Sequence, residues 1–343
     1  MRFEPNAMAT AIGSLPHKNA EEASLLMLEA LPEAPAWPQL PARSFKENMY
    51  VQYSKNMPGV LLDEEKEKII IDPTDTAGLE KFYERYLAKD TQYFALGEEY
   101  AKGFYYFTDL IAKSDTKPKV IKGQVTGPIS YGLTVKQSDE RSIIFDKNFF
   151  DAIVKTLALK AKYQVDIFKK ISPESIPLIF LDEPYLVSFG SAFVSVNEDE
   201  VIEKLNECFD AIDGLKGIHV CGGTDWGMIM KTNVDVIHFD AFDYFESMKA
   251  YAPQLKEFID RGGMIGWGAV PHDDKIRDFT AERLFALLDE KLDRLSELGL
   301  DKKSIYKASW IAPSCGVGLM TTDDAQNALK LSTRLAELIR EQI

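Results

Sequence analysis

The chain has 343 residues, 45% of them hydrophobic and 11% aromatic, too apolar for a disordered segment and long enough to bury a large core. Forty basic against 54 acidic residues give a formal charge of −14, which phosphate backbones and anionic lipid would repel, so nucleic-acid and membrane-surface partners are not expected. No apolar run approaches the ~20 residues of a membrane span, the first residues lack the basic flank and apolar core of a secretion signal, and the expected location is the cytoplasm.

Along the chain, short apolar runs alternate with longer helical patterns. A first strand is expected at 9–12 and another, less regular, near 37–43. Residues 44–115 break the pattern: a charged stretch at 62–68 precedes an aromatic-rich helical segment at 79–110. This reads either as an insertion over or beside the mouth of the fold, or as a surface helical hairpin. Strands then follow at 119–125, 177–181, 217–221, 235–239, 264–267 and 306–311, with helices at 148–170, 199–212, 245–260, 281–298 and 323–341. The strand runs are apolar nearly throughout, as in a parallel sheet covered on both faces. About eight strand–helix units favour a single domain over 1–343, a (β/α)8 TIM barrel with a helical insertion near 44–115; an open doubly wound sheet is the alternative. No glycine-rich dinucleotide turn follows the first strand.

In such a barrel, chemistry sits where strands end. The expected ends are Ile12-Gly13-Ser14-Leu15-Pro16-His17, Thr126-Gly127-Pro128, Asp182-Glu183-Pro184, His219-Val220-Cys221, Asp240-Ala241-Phe242-Asp243 and Pro313-Ser314-Cys315-Gly316. Residues two apart on a strand share a face, so the His219 imidazole and the Cys221 thiol point the same way. Cys315 and Asp240, from other strand ends, would complete a tetrahedral zinc set. The competing reading is a buried histidine with two thiols acting as small hydrophobes, the role expected for Cys208. Three cysteines are too few for a disulfide framework. His238 is expected to be a hydrogen-bonded core histidine, His17 either reaches the site or stays in its loop, His272 reads as a solvated loop residue, and Trp226, Trp267 and Trp310 are expected at the rim.

Ile12-Gly13-Ser14, Thr126-Gly127-Pro128, Asp182-Glu183-Pro184, His219-Val220-Cys221, Asp235-Val236-Ile237 and Pro313-Ser314-Cys315-Gly316, in this order, resemble the C-terminal catalytic barrel of cobalamin-independent methionine synthases, in the superfamily that holds uroporphyrinogen decarboxylase and zinc methyltransferases acting on thiols. The resemblance runs from Ile12 to Cys315. It implies zinc on His219, Cys221 and Cys315, and a fourth ligand at Asp240, where the family has glutamate; Asp243 and Glu246 are the fallbacks. It also implies that Asp182 binds the ammonium group of homocysteine, with Ile12, Gly13, Ser14 and Glu183 beside the substrate and Ser14 at its carboxylate. A zinc-bound thiol loses its proton and attacks an activated methyl group.

Three departures bear on the donor and acceptor. The full synthase carries a second, N-terminal barrel, whereas this sequence has one barrel's length. Thr134 stands where the family has a tryptophan against folate. The family's glutamate-bearing segment is replaced by Arg43-Ser44-Phe45-Lys46-Glu47-Asn48, leaving Glu47 or Glu183 to share the ammonium with Asp182. The first two departures point to methylcobalamin on a partner corrinoid protein as the donor. The alternatives are methyltetrahydrofolate as donor, coenzyme M as acceptor, a metal-free enzyme of the uroporphyrinogen decarboxylase type, and a non-enzymatic zinc-stabilised scaffold.

Overall fold

The computed structural model describes residues 3–189 and 196–343. Its strands are β1 (Met8–Ala9), β2 (Val60–Asp63), β3 (Lys68–Ile71), β4 (Val120–Thr126), β5 (Lys136–Gln137), β6 (Ile176–Asp182), β7 (Leu215–Val220), β8 (Val236–Phe239), β9 (Met264–Val270) and β10 (Ser309–Pro313). Seven of them form one parallel sheet in the order β1-β10-β9-β8-β7-β6-β4. The sheet curls, and an irregular eighth strand links its edges. Ala36 bridges Lys122 of β4, and Gln39 bridges Ser14 just past β1. Backbone bonds from Trp37 N to Lys122 O (3.2 Å) and from Gln39 N to Gly13 O (3.0 Å) make the closure. The barrel reading holds, and the eighth strand lies slightly earlier than the expected 37–43.

The helices are α1 (Ala20–Ala30), α2 (Thr76–Leu87), α3 (Lys102–Lys113), α4 (Pro128–Thr134), α5 (Lys147–Ile171), α6 (Glu198–Asp210), α7 (Trp226–Met230), α8 (Phe245–Lys249), α9 (Ala252–Asp260), α10 (Ala281–Ser296), α11 (Lys302–Lys307) and α12 (Thr322–Arg340). Many are capped by side chains the sequence supplies: Asn19, Asp146, Asn197, Thr280 and Thr321 each accept from backbone N–H groups of the first turn. No helix among the described residues is long and apolar enough to cross a membrane.

The period-2 alternation of strands sorts the side chains into two cores. Ile121, Val125, Ile179, Leu181, Ile218, Val220, Ile237, Phe239, Ile265 and Ile311 pack outward with the helices in the larger core. Met8, Val120, Leu178, Phe180, Val236, Met264 and Trp310 form a second cluster inside the barrel. The inward series then turns polar toward the strand ends: Val120, Lys122, Gln124 on β4; Leu178, Phe180, Asp182 on β6; Val236, His238, Asp240 on and just after β8. An apolar floor therefore carries a polar ceiling.

Several expected boundaries shift. The 79–110 segment is two helices: Lys89, with φ 54°, ends the first, and α3 packs against α1 and α5 as a barrel helix. The 62–68 stretch is the tip of the β2–β3 hairpin, with Glu67 at φ 49°. The excursion is thus shorter than 44–115. Helix 245–260 breaks into α8 and α9, the second starting at Ala252 with Pro253 in its first turn, where a proline ring is tolerated. Tyr306 belongs to α11, so the last strand begins at Ser309. The tryptophans leave the rim: Trp226 and Trp267 are buried behind the wall against Phe239, and Trp310 lies on the floor, stacked on Phe3. Cys208 is buried in α6, as expected.

Candidate metal centre

β7 ends on His219-Val220-Cys221, and β10 leads into the turn holding Cys315. The three donor atoms lie within 4.8 Å of one another. His219 is buried, and both thiols are half-buried at the cleft wall. A tetrahedral zinc site with Zn–S of about 2.3 Å and Zn–N of about 2.0–2.1 Å sets sulfur and nitrogen about 3.6 Å apart. The Cys315 Sγ to His219 Nε2 separation is 3.6 Å. The donor set and its spacing fit zinc. Hydrogen bonding with Cys221 and the nearby His219 hold the Cys315 thiol far below its ordinary range, while Cys221 is pushed up by its bond to Cys315 and by burial. A bound cation would require both sulfurs as thiolates and so would displace the proton that Cys221 retains.

Two further histidines support the triad. His238 pairs with His219 across the β7–β8 register, their Nδ1 atoms 2.8 Å apart. With Nε2 of His219 turned to the sulfurs, its Nδ1–H donates to His238 Nδ1, the outer-shell bond that fixes a ligand histidine's tautomer and ring plane. Gly266 on β9 makes room for this ring, since a Cβ there would lie 2.8 Å from His238 Cδ2. The expected core role of His238 is therefore met by a bond to the candidate ligand. His272 is no free loop residue: its Nδ1 lies 2.7 Å from Ser314 Oγ, and it interacts electrostatically with Cys315 and Asp240. Among the described residues the converging set is His219, Cys221 and Cys315, without Asp240. One methylene shorter than glutamate, Asp240 uses Oδ1 to accept from Asp243 N (2.9 Å) at its own turn. Glu246 pairs with Lys249 and Arg294 on the surface, and Asp243 with Lys275.

The triad opens into a cleft of about 410 Å³ lined by Ile12, Ser14, Gln39, Glu47, Met49, Asp182, Pro184 and Leu319, with no arginine or lysine in its wall among the described residues. Gly13 has φ 141° and lies against the Gln124 side chain, a backbone position closed to other residues. Asp182 is buried, and its Oδ1 has no hydrogen-bond partner. Burial raises its pKa, opposed by the charges of Lys122 and His219. Glu183 turns away from the cleft: its two oxygens accept from Ile129 N (2.9 Å) and Ser130 N (2.7 Å) at the start of α4. Glu47 reaches the cleft, buried and paired with Arg43. His17 sits in its loop outside the lining. Sequence reading missed Lys122, a fully buried amine inside the barrel; the period-2 register of β4 was the available signal.

No family model matches the chain. It is 28% identical over 241 residues, 67% of this chain and 70% of the relative, to a methionine synthase of Methanocaldococcus jannaschii. A B12-independent methionine synthase from Shewanella sp. W3-18-1, solved in complex with selenomethionine, superposes with a TM-score of 0.60 at 14% identity over 98% of both chains. A methyltransferase from Methanosarcina mazei gives a TM-score of 0.56 at 14% identity, over 95% of this chain and 86% of the other. The likeness read from the motifs is borne out.

Proposed function

We propose that this chain, alike in sequence to a methionine synthase and in fold to that synthase class, is a zinc-dependent thiol methyltransferase. In this reading a single barrel domain over residues 1–343 converts homocysteine to methionine, taking the methyl group from a methylated corrinoid protein. The observation that carries the reading is the His219–Cys221–Cys315 triad at zinc spacing, opening into an acidic cleft.

Bound at these three residues, zinc would lower a thiol's pKa while two cysteine ligands offset its charge and leave the bound sulfur nucleophilic. The chain's own residues then do the rest. Asp182, with Oδ1 free, faces the acceptor's ammonium, and Glu47 adds a second carboxylate beside it. Ser14 lies at the same wall, held where the Val317 N–H donates to its carbonyl (3.2 Å). His238 keeps Nε2 of His219 directed at the sulfurs. His272, bonded to Ser314 beside Cys315, braces the turn that carries this thiol. The acceptor sulfur's lone pair forms the new S–CH3 bond as the donor–methyl bond breaks, and the donor keeps that electron pair.

The acidic cleft disfavours the rivals. A sulfonate acceptor such as coenzyme M gains nothing beside Asp182 and Glu47, and a polycarboxylate of the uroporphyrinogen kind meets no basic lining among the described residues. For the donor, Thr134 ends α4 where the resembled family has the tryptophan against folate. The mouth instead exposes Tyr185, Val187, Tyr244 and Leu319, an apolar border suited to a large flat donor.

The deciding experiment supplies zinc-loaded protein with methylcobalamin or methyltetrahydrofolate, and with homocysteine or coenzyme M. Methionine formed from methylcobalamin and homocysteine is the expected product. Turnover with folate alone would overturn the donor, tighter binding of coenzyme M the acceptor, and full activity in metal-stripped protein the zinc chemistry.

A further inference from the structure

Lys122 points into the barrel from β4, second in that strand's inward series, paired in register with Leu178 and with its amine over the Phe180 ring. It is fully buried. Its Nζ donates to Ile12 O at 2.6 Å and to Gln124 Oε1 at 3.2 Å, and it stands 4.5 Å from the centre of the Phe180 ring. Two oxygens accept from it and a ring face covers it, while burial pulls its pKa down from 10.5 to about 7 against the opposing charge of Asp182. Gln124 passes the restraint on, since its Nε2 donates to Trp37 O (3.1 Å) on the closing strand and its side chain abuts Gly13. Asp182 feels the Lys122 charge, yet the amine is spent on Ile12 and Gln124, so Asp182 Oδ1 stays free.

A methionine would fill this space without the desolvation cost of a buried charge. The amine therefore has a use that packing does not explain. Through Gln124 it ties the Ile12-Gly13-Ser14 turn to the strand that closes the barrel, and it stands behind the Asp182 carboxylate without occupying its free oxygen. We propose that Lys122 is a positioning residue of the acceptor site, fixing the Ser14 turn and the Asp182 carboxylate in the relative placement that receives the two ends of an α-amino acid. This rests on the methyltransferase reading above and adds to it the device that selects an amino-acid thiol over a plain one.

The test compares Lys122→Met, which removes donor and charge, with Lys122→Gln, which keeps a donor for Ile12 O. Zinc-loaded proteins are titrated calorimetrically with homocysteine and with mercaptobutyrate, the same thiol acid lacking the ammonium. Wild type should favour homocysteine. Loss of a charge-assisted contact worth about 1.5–3 kcal/mol predicts that Lys122→Met cuts this preference at least about tenfold, with zinc content unchanged and Lys122→Gln intermediate. Equal weakening of both thiols, or an undiminished preference, overturns the proposal. Should Lys122→Met not fold, Asp182→Asn in the otherwise intact chain must lose the same preference; retention there removes the group Lys122 is said to support. A wild type that binds neither thiol brings down the methyltransferase reading as well, whereas a discriminating wild type with equally discriminating variants sinks only this inference.

Discussion

Replacing His238 with leucine isolates what the second imidazole does for the first. In the folded chain the two buried Nδ1 atoms of His219 and His238 lie 2.8 Å apart, and with Nε2 of His219 given to a metal its Nδ1 carries the proton of that bond. Leucine fits among Phe180 and the other inward side chains but accepts no proton, so a buried donor loses its partner. Such an orphan costs about 1–3 kcal/mol. Outer-shell partners of metal ligands are worth about 10–100-fold in metal affinity, about 1.4–2.7 kcal/mol at 25 °C, so the two routes agree. His238→Leu should therefore bind zinc about 10–100-fold more weakly in a competition titration against a chromophoric chelator. His238→Asn, whose side-chain oxygen takes the place of Nδ1, should recover most of the loss. Thermal unfolding of the metal-free proteins separates this from general damage. A leucine variant that holds zinc within about twofold of wild type, or an asparagine variant no better than leucine, would refute the orienting role.

Other outcomes follow from the same geometry. Cys315→Ser removes one of three converging donors and should reduce zinc from about one per chain to a small fraction after dialysis; full retention by elemental analysis would exclude Cys315 as a ligand. Burial raises the pKa of Glu183 from 4.5 to about 7. Between those values the folded state binds more protons than the unfolded one, so stability falls as pH rises through that window. Glu183→Gln should flatten this slope in urea melts, and parallel slopes would contradict the assignment. Gly13→Ala forces a Cβ to within 2.7 Å of Gln124 Nε2 at φ 141°. It should destabilise the fold by about 1–3 kcal/mol, read as a lower urea midpoint, and an unchanged midpoint would show that the turn relaxes freely.

How much of this was legible beforehand differs from residue to residue. Alternating apolar runs and helices gave the barrel because a strand buried on both faces has to be apolar on both. His219 and Cys221 were paired correctly because two-residue spacing on a strand is a local property of the backbone. Irregular segments were harder. The strand that closes the barrel has few ladder bonds of its own and takes its shape from Lys122 and Gly13 on either side. The tryptophans were assigned to the rim because sequence places them near strand ends without saying which end of the barrel, or which side of its wall, they occupy.

The amino-acid order by itself determined the repeating strand–helix architecture and the identity of three metal-capable side chains, since periodicity and residue type are carried along the chain. Only the tertiary structure decided which polar groups meet. It seated His238 against His219, turned Glu183 onto a helix start, left Asp182 with a free oxygen and drove Lys122 beneath the Ile12 carbonyl. Each of these depends on distances across neighbouring strands, set when a curled sheet brings residues far apart in sequence to within a few ångströms.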